Sequence, residues 1–202
     1  MKRFLLGIAA AGMLITSGAA RAAESVTVQL KWVADAQFAG YFVAEDKGFY
    51  KEVGLDVTVK PGGPDIAPEQ ALAVGDADVI VDWMPAALAA REKGIPLVNI
   101  SQTFQRSGLE LTCLKSTGIT SPAQFPGHTL GVWFEGNEYP FLAWMAKLDI
   151  ETDGGPEGVT VLRQGFNVDP LLKKQASCIS TMSYNEYWQV IEPAAPSLRL
   201  DR

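Results

Sequence analysis

Strand-like and helix-like segments alternate along the whole chain, and this alternation limits the possible folds more than any other feature. Residues 26–32 read VTVQLKW, with the apolar-polar period of a half-buried strand. Residues 38–50 then follow the helical period, with Gly48 and Gly54 marking their end. Residues 79–81 are an apolar run of the kind found in buried parallel strands. Strands separated by helices at this spacing predict βαβ units and a mostly parallel sheet.

The same alternation continues to the end of the chain and divides it into two lobes. Further strands are predicted at residues 55–59, 97–103, 109–114, 129–133, 159–162 and 179–182. Further helices are predicted at residues 68–74, 85–93, 139–148, 170–174 and 186–191. The natural seam lies near residues 105–108. We therefore expect two α/β lobes, at 24–107 and 108–192, with a cleft between them.

The N-terminus has the pattern of a secretory signal peptide at residues 1–23. Lys2 and Arg3 precede an apolar run at residues 4–15, and small residues follow up to Ala23. The run is short for a membrane span, which needs about 20 residues, so a retained anchor is the weaker alternative. Neither cysteine lies near the cleavage site, which excludes a lipid anchor there. We expect a periplasmic protein that is free of the membrane.

Composition and charge exclude several classes of protein. With 48% hydrophobic and 20% charged residues the chain is globular rather than disordered. Cleavage removes three positive charges and moves the formal net charge from -6 to -9, which argues against nucleic acid as a partner. Two cysteines, Cys113 and Cys178, are too few for a disulfide framework. We expect two buried free thiols, and a disulfide in the oxidising periplasm is the alternative.

No catalytic or metal-binding constellation is recognisable in the sequence. The single histidine, His128, follows a glycine in a turn, and no triad partner is evident. The chain has no nucleotide-binding glycine motif and no cysteine or histidine cluster at zinc spacing. Gly62 and Gly63 are flanked by prolines and lack the Lys-Ser/Thr of a phosphate loop, so they predict a turn. No cofactor is expected.

Aromatic and acidic residues do occur at the ends of predicted strands, where α/β sheets bind their ligands. Trp32, Trp83 and Trp133 each end or follow a strand, and a tryptophan face there can stack on a flat ligand, although core packing is an equal alternative for each. Two Asn-Glu pairs, at 137–138 and 185–186, each follow a strand and open a helix. They either cap those helices or face the cleft as hydrogen-bond acceptors.

Several segments resemble a known family of transport proteins. These segments are LKWVADAQFAGYFVAEDKGFYKEVGLDVTVKPGGPD, VGDADVIVDWMPAALAAREKGIPLVNISQTFQ, GITSPAQFPGHTLGVW and SYNEYWQV. They resemble solute-binding proteins of ABC importers, in the branch that binds thiamine pyrimidine precursors, with sulfonate and riboflavin binders nearby. The fungal thiamine-pyrimidine synthase belongs to the same family. The resemblance implies a two-lobed periplasmic binding protein fold of type II, and it extends from residue 26 to about residue 191.

The resemblance also implies which residues line the cleft. One group of residues comes from the first lobe and a second group faces it from the second lobe. The implied ligand-binding residues are Trp32, Gln37, Tyr41, Asp82, Trp83, Trp133, Glu138, Asn185 and Glu186. We expect binding to depend on stacking at Trp32 or Trp83 together with a carboxylate from Glu138 or Glu186. The implied partners are a small-molecule ligand and an importer permease, and we expect a monomer.

Two positions distinguish a binder from the related synthase. The resemblance places Asp82 where the synthase has the lysine that holds pyridoxal phosphate. It places Ala86 where the synthase has the histidine that is consumed as substrate. The chain also lacks the synthase's cysteine-rich segment. A binder is therefore favoured over a thiamine-pyrimidine synthase.

The C-terminal end departs from the family pattern. Relatives continue past the YNEYWQV segment, whereas residues 193–202 do not resemble that continuation. We interpret the chain as truncated or frameshifted at its C-terminus, and a nonfunctional fragment of the binding protein is a third alternative. An incomplete first lobe would expose apolar sheet surface, which predicts lower stability than in a full-length relative. The ligand stays open among pyrimidines, riboflavin-like rings, amines and sulfonates.

The mature protein is predicted to begin at Ala23 or Glu24 and to be recovered from the periplasm in soluble form. The small residues before Glu24 form the cleavage site that signal peptidases prefer. Intact-mass measurement on the exported protein checks this, and retention of Met1 would contradict it.

Overall fold

The computed structural model describes residues 22–192, which form two α/β lobes. Most of the predicted signal peptide and the whole tail at 193–202 lie outside the described residues. Each lobe is built on its own sheet. The first lobe contains strands β1 (Glu24–Gln29), β2 (Leu55–Lys60) and β3 (Val79–Ile80) with helices α1 (Ala39–Asp46), α2 (Phe49–Glu52), α3 (Pro68–Ala73) and α4 (Met84–Glu92). The first sheet has the order β2-β1-β3 and is parallel throughout.

The second lobe is built on a four-stranded mixed sheet. Its strands are β4 (Leu109–Cys113), β5 (Thr129–Val132), β6 (Thr160–Arg163) and β7 (Cys178–Met182), and its helices are α5 (Tyr139–Lys147), α6 (Asp169–Leu172) and α7 (Glu186–Ile191). The order is β4-β7-β5-β6, and only β4 runs antiparallel to its neighbour. The predicted α/β class with mostly parallel sheets is confirmed.

The sequence of the central strand β1 alternates between apolar and polar residues, yet the polar side chains at its carboxyl end are buried. Val28 and Leu30 are buried in the main core cluster, as the alternation predicts. Gln29 and Lys31, on the opposite side, are also buried, at 7% and 3% exposure. Because both faces of the sheet are covered at the carboxyl end of β1, these polar side chains need partners. Gln29 Nε2 donates to the carbonyl of Pro61 at 2.9 Å.

Gly62 provides the close approach that brings the turn after β2 against β1. A Cβ at Gly62 would lie 2.2 Å from the carbonyl oxygen of Leu30, so only glycine fits. The Gly62 amide donates to the carbonyl of Trp32 at 2.8 Å, which continues the strand ladder beyond β1. Gly62 therefore has a packing function in this turn.

Two predicted elements differ from the structure. The helix predicted at 38–50 is divided into α1 and α2, because Gly48 adopts a φ of 76° between them. The strand predicted at 97–103 is wrong, since these residues have no regular secondary structure. A strand needs a hydrogen-bonded neighbour, and none of these residues joins a ladder among the described strands. Val98 and Ile100 are consequently 80% and 76% exposed.

The two cysteines form a disulfide, so the expectation of free thiols is wrong. Cys113 ends β4 and Cys178 begins β7, and the two residues are direct partners in the antiparallel register. Their Cα atoms are 3.9 Å apart. A separation of 65 residues in sequence hides this proximity, because it arises only when the two strands pair.

The described residues contain neither a membrane-spanning helix nor a metal-binding cluster of side chains. Within residues 22–192 no helix has the length and apolar character needed to cross a bilayer. The same part of the chain contains no group of three or more histidine, cysteine, aspartate or glutamate side chains placed to hold a metal ion.

Removing the disulfide is predicted to destabilise the second lobe. In the chain-entropy description, opening a loop of this length costs about 4 kcal/mol of unfolding free energy. The change is Cys113→Ala with Cys178→Ala, measured by urea denaturation. Wild-type protein in dithiothreitol should show a similar loss. Unchanged midpoints in both samples would contradict the role of the disulfide.

Candidate functional site

A cavity lies between the two lobes, at the edge where β1 and β3 end. Parallel strands of one sheet present their carboxyl ends on the same side, and the chain leaving β5 and β7 faces them from the second lobe. The cavity contains about 540 Å³ of non-atom space, part of it open to solvent. Its lining consists of Lys31, Trp32, Gln37, Phe38, Val81, Asp82, Trp83, Phe104, Trp133, Asn137, Met182, Asn185 and Glu186.

Aromatic rings from both lobes form the walls of the cavity. Trp32 from the first lobe contacts Trp133 from the second edge-on, with ring centroids 5.4 Å apart. The indole N–H of Trp133 donates to the carbonyl of Gly165 at 3.0 Å, and that of Trp83 donates to Oδ1 of Asn137 at 2.6 Å. These bonds hold both indole rings in position and satisfy their polar groups. Such rigid aromatic walls suit a flat ligand.

Glu186 supplies a buried carboxyl group at the cavity. It is 1% exposed, and its Oε2 accepts from the Met182 amide at 3.0 Å while Oε1 accepts from Asn185 Nδ2 at 3.0 Å. Burial raises the pKa of this carboxyl, and the hydrogen bonds from Met182 and Asn185 lower it only in part. Each oxygen retains acceptor capacity for a ligand.

A buried ion pair forms the floor of the cavity on the side of the first lobe. Lys31 Nζ lies 3.2 Å from Asp82 Oδ1, and both side chains are 4% exposed. Lys31 Nζ also donates to the Glu135 carbonyl of the second lobe at 2.6 Å. Burial raises the pKa of Asp82, while the Lys31 ammonium partly offsets that rise.

Three further contacts join the lobes around the cavity. Tyr184 of the second lobe donates its hydroxyl hydrogen to Oε1 of Gln37 at 2.7 Å, and burial raises the pKa of Tyr184 to about 12. At the rim, Arg163 donates to Glu135 at 2.9 Å and to Asp65 of the first lobe at 3.0 Å. The Trp83–Asn137 hydrogen bond is the third. The described arrangement is therefore a closed one, with the lobes in direct contact.

The structure brings most of the predicted ligand-binding residues to the cavity. Seven of them contribute to its lining: Trp32, Gln37, Asp82, Trp83, Trp133, Asn185 and Glu186. Tyr41 and Glu138 do not belong to it. Tyr41 packs beside Phe38 in the first-lobe core, with ring centroids 6.5 Å apart. Glu138 uses its Oε2 to accept from the Gly136 amide at 2.8 Å at the start of α5.

Sequence reasoning missed several lining residues, of which Lys31 is the most informative. A lysine in an alternating strand normally indicates a solvated face, and here that face is covered. The available signal was its position directly before Trp32 at the end of a strand. Asn137 was considered only as a neighbour of Glu138, although its side chain is the one that reaches Trp83. Phe38, Val81, Phe104 and Met182 gave no distinguishing signal.

The buried Glu186 carboxyl predicts a specific pH dependence of stability. Its pKa is raised above the ordinary 4.5, so the folded chain binds this proton more tightly than the unfolded chain does. The resulting stability is fully present below about pH 4.5 and falls as pH rises through the folded pKa. Glu186→Gln should therefore flatten the decline in unfolding free energy between pH 4.5 and 7.

Urea denaturation at a series of pH values measures this slope. Glu157→Gln, at an exposed position, is the matched control and should keep the wild-type slope. Parallel curves for wild type and Glu186→Gln would show that the carboxyl is not held in this way.

Comparison with known proteins agrees with this architecture. The NMT1/THI5 like family model matches residues 35–200. Over 149 residues, the chain is 30% identical to a formylaminopyrimidine-binding protein of Halalkalibacterium halodurans, covering 73% of this chain and 44% of that protein. Over 151 residues, it is 26% identical to the 4-amino-5-hydroxymethyl-2-methylpyrimidine phosphate synthase THI11 of Saccharomyces cerevisiae, covering 72% of this chain and 42% of the synthase.

A solved structure gives the same result for the fold. The periplasmic aliphatic sulphonate binding protein SsuA of Escherichia coli superposes with a TM-score of 0.56 at 13% identity, covering 84% of this chain and 57% of SsuA. The chain spans under half the length of the formylaminopyrimidine-binding protein and of the synthase THI11. The fold is that of the periplasmic substrate-binding proteins of ABC transporters, and the chain belongs to the NMT1/THI5 like family.

Proposed function

We propose that this chain is the substrate-binding component of an ABC importer. It works in the periplasm as a monomer, encloses a small flat ring-containing nutrient between its lobes and delivers it to the importer's permease. The observation that carries this proposal is the cavity itself, in which three tryptophans from two lobes surround buried carboxyl groups. Aromatic walls with a few fixed polar groups are typical of small-molecule binding sites.

The polar groups of the cavity favour a ligand with amino donors. Asp82 and Glu186 provide carboxyl acceptors, whereas Lys31 is the single ammonium among the lining residues. A sulfonate would bring a further negative charge towards these groups, at a cost in free energy. An aminopyrimidine, the ligand class in the name of the Halalkalibacterium halodurans relative, offers ring faces and amino hydrogens instead. A thiamine pyrimidine precursor is therefore our first candidate ligand.

The cavity does not fit the aldehyde cofactor of the related synthase. Such a cofactor is held through the free amine of a lysine, and position 82 carries a carboxylate. The nearby Lys31 is not a free amine either, since its Nζ is held by Asp82 and by the Glu135 carbonyl. The lining residues therefore offer no free lysine amine that could hold this cofactor.

Packing at Ala86 argues in the same direction. Ala86 is 1% exposed, and a Cβ placed on Gly136 would lie 2.7 Å from the Ala86 methyl. The backbone of the second lobe thus lies directly over this position when the lobes are together. A histidine side chain at 86, as the resemblance places it in the synthase, has no room here.

Calorimetric titration of the mature chain with 4-amino-5-hydroxymethyl-2-methylpyrimidine, riboflavin and ethanesulfonate tests the proposal. We expect the aminopyrimidine to bind most tightly. Trp83→Ala should weaken it by about tenfold or more, because a stacking wall and its buried area are both lost. Glu186→Gln should weaken it by a similar factor through the loss of a charged acceptor.

Trp144→Ala is the matched control, because Trp144 is a partly exposed indole on α5 that does not line the cavity. It should leave the affinity within about twofold of wild type, less than a single neutral hydrogen bond is worth. Equal losses in Trp83→Ala and Trp144→Ala would place the ligand elsewhere. Tightest binding of ethanesulfonate would overturn the proposed ligand class.

A further inference from the structure

The Lys31–Asp82 ion pair is deeply buried, and a buried ion pair is by itself weak evidence for a stabilising role. Lys31 follows β1 and Asp82 follows β3, and these neighbouring parallel strands bring the two side chains to the same sheet edge. Taking two charges out of water costs free energy that their mutual attraction offsets only when the remaining polar atoms are also satisfied. An apolar pair of similar size often gives a fold of equal stability. A binding role is the alternative reason for such a pair.

The hydrogen bonds of the pair are incomplete in a specific way. The Lys31 ammonium has three N–H donors, and two of them have acceptors, Asp82 Oδ1 and the Glu135 carbonyl. Asp82 Oδ1 also accepts from the Trp83 amide at 2.8 Å. Asp82 Oδ2, by contrast, is buried and has no hydrogen-bond partner among residues 22–192. Within the described residues the pair therefore retains one donor and one acceptor, and both of its residues line the cavity.

A turn of the second lobe, at Glu135 and Gly136, packs against Lys31 and holds its ammonium in this position. Gly136 has a φ of 90°, and a Cβ there would lie 3.3 Å from Lys31 Nζ. Glu135 beside it adopts a φ of 57°, unusual for a residue with a side chain. This conformation presents the Glu135 carbonyl to the ammonium, and Arg163 holds the Glu135 side chain from the other side. The turn thus fixes the direction of the lysine.

We propose that Lys31 and Asp82 together recognise one edge of the ligand, as a paired donor and acceptor. The complementary edge carries an amino donor next to a ring nitrogen or carbonyl acceptor, the chemistry of a cyclic amidine. Lys31 donates to the acceptor, and Asp82 Oδ2 accepts from the amino group. This assignment rests on the proposed function, because it needs the cavity to be the ligand site. Lys31 is then a specificity-determining residue.

Three rings of nearly equal shape test the assignment in calorimetric titrations of the mature wild-type chain. 4-Amino-2-methylpyrimidine carries both groups, 2,4-dimethylpyrimidine lacks the amino donor, and 3-methylaniline lacks the ring acceptors. We expect the first ring to bind roughly tenfold or more tightly than either of the others, since each analogue leaves a buried polar group unpaired. Equal binding of all three would overturn the edge assignment and leave the stacking site intact. No binding of any ring would overturn the proposed function as well.

A double variant separates recognition from folding. Lys31→Met with Asp82→Val removes both charges at once and leaves neither buried alone. It should retain a cooperative thermal transition and bind 4-amino-2-methylpyrimidine and 3-methylaniline within about twofold of one another, because the Lys31 donor to the ring acceptor is lost and the remaining Glu186 carboxylate can only accept. The control, Lys173→Met with Asp169→Val, makes the same changes in a pair on the surface of α6. It should keep the wild-type preference. Retained preference in the Lys31 and Asp82 variant would overturn the assignment.

Discussion

The buried contact between Lys31, Asp82 and the Glu135 carbonyl is the interaction on which the rest of the site depends. Lys31 and Asp82 come from neighbouring parallel strands, and Glu135 comes from the facing lobe. A charge that is buried between the lobes must be satisfied by protein groups. This contact therefore favours the geometry in which the Glu135 turn lies over the end of β1. The tryptophan walls and the Glu186 carboxyl then enclose one space rather than two separate surfaces.

Local sequence patterns were sufficient to predict most of the architecture and much of the site. The alternation in 26–32, the apolar run at 79–81 and the turn glycines are local features, and they correctly predict strands, βαβ units and the sheet edge that bears Trp32 and Asp82. Features that need a distant partner could not be predicted. The Cys113–Cys178 disulfide depends on the pairing of β4 with β7, and the absence of a strand at 97–103 depends on the lack of a neighbouring strand.

Lys31 was missed for a related physical reason. Alternation assigns it to a solvated face, yet that face is covered at the carboxyl end of β1, and only tertiary contacts reveal that the polar side chain is buried and paired. Glu138 shows the converse situation, because it was expected in the cleft and does not belong to the cavity lining. Its Asn-Glu pair resembles the pair at 185–186, but here the asparagine reaches the cavity while the glutamate bonds the backbone of its own turn. Identical dipeptides therefore take different roles, according to how the chain enters the following helix.

The turn at residues 134–137 packs against both Ala86 and Lys31 of the first lobe. Gly136 lies so close to Ala86 that a histidine cannot be accommodated there, and the same close approach brings the Glu135 carbonyl to Lys31. In this geometry, position 86 cannot hold a histidine side chain while the Glu135 carbonyl contacts Lys31. With alanine at 86 and glycine at 136, the second lobe packs closely against the residues that we propose to recognise the ligand edge. These two small residues therefore support the binding role that we propose for this chain.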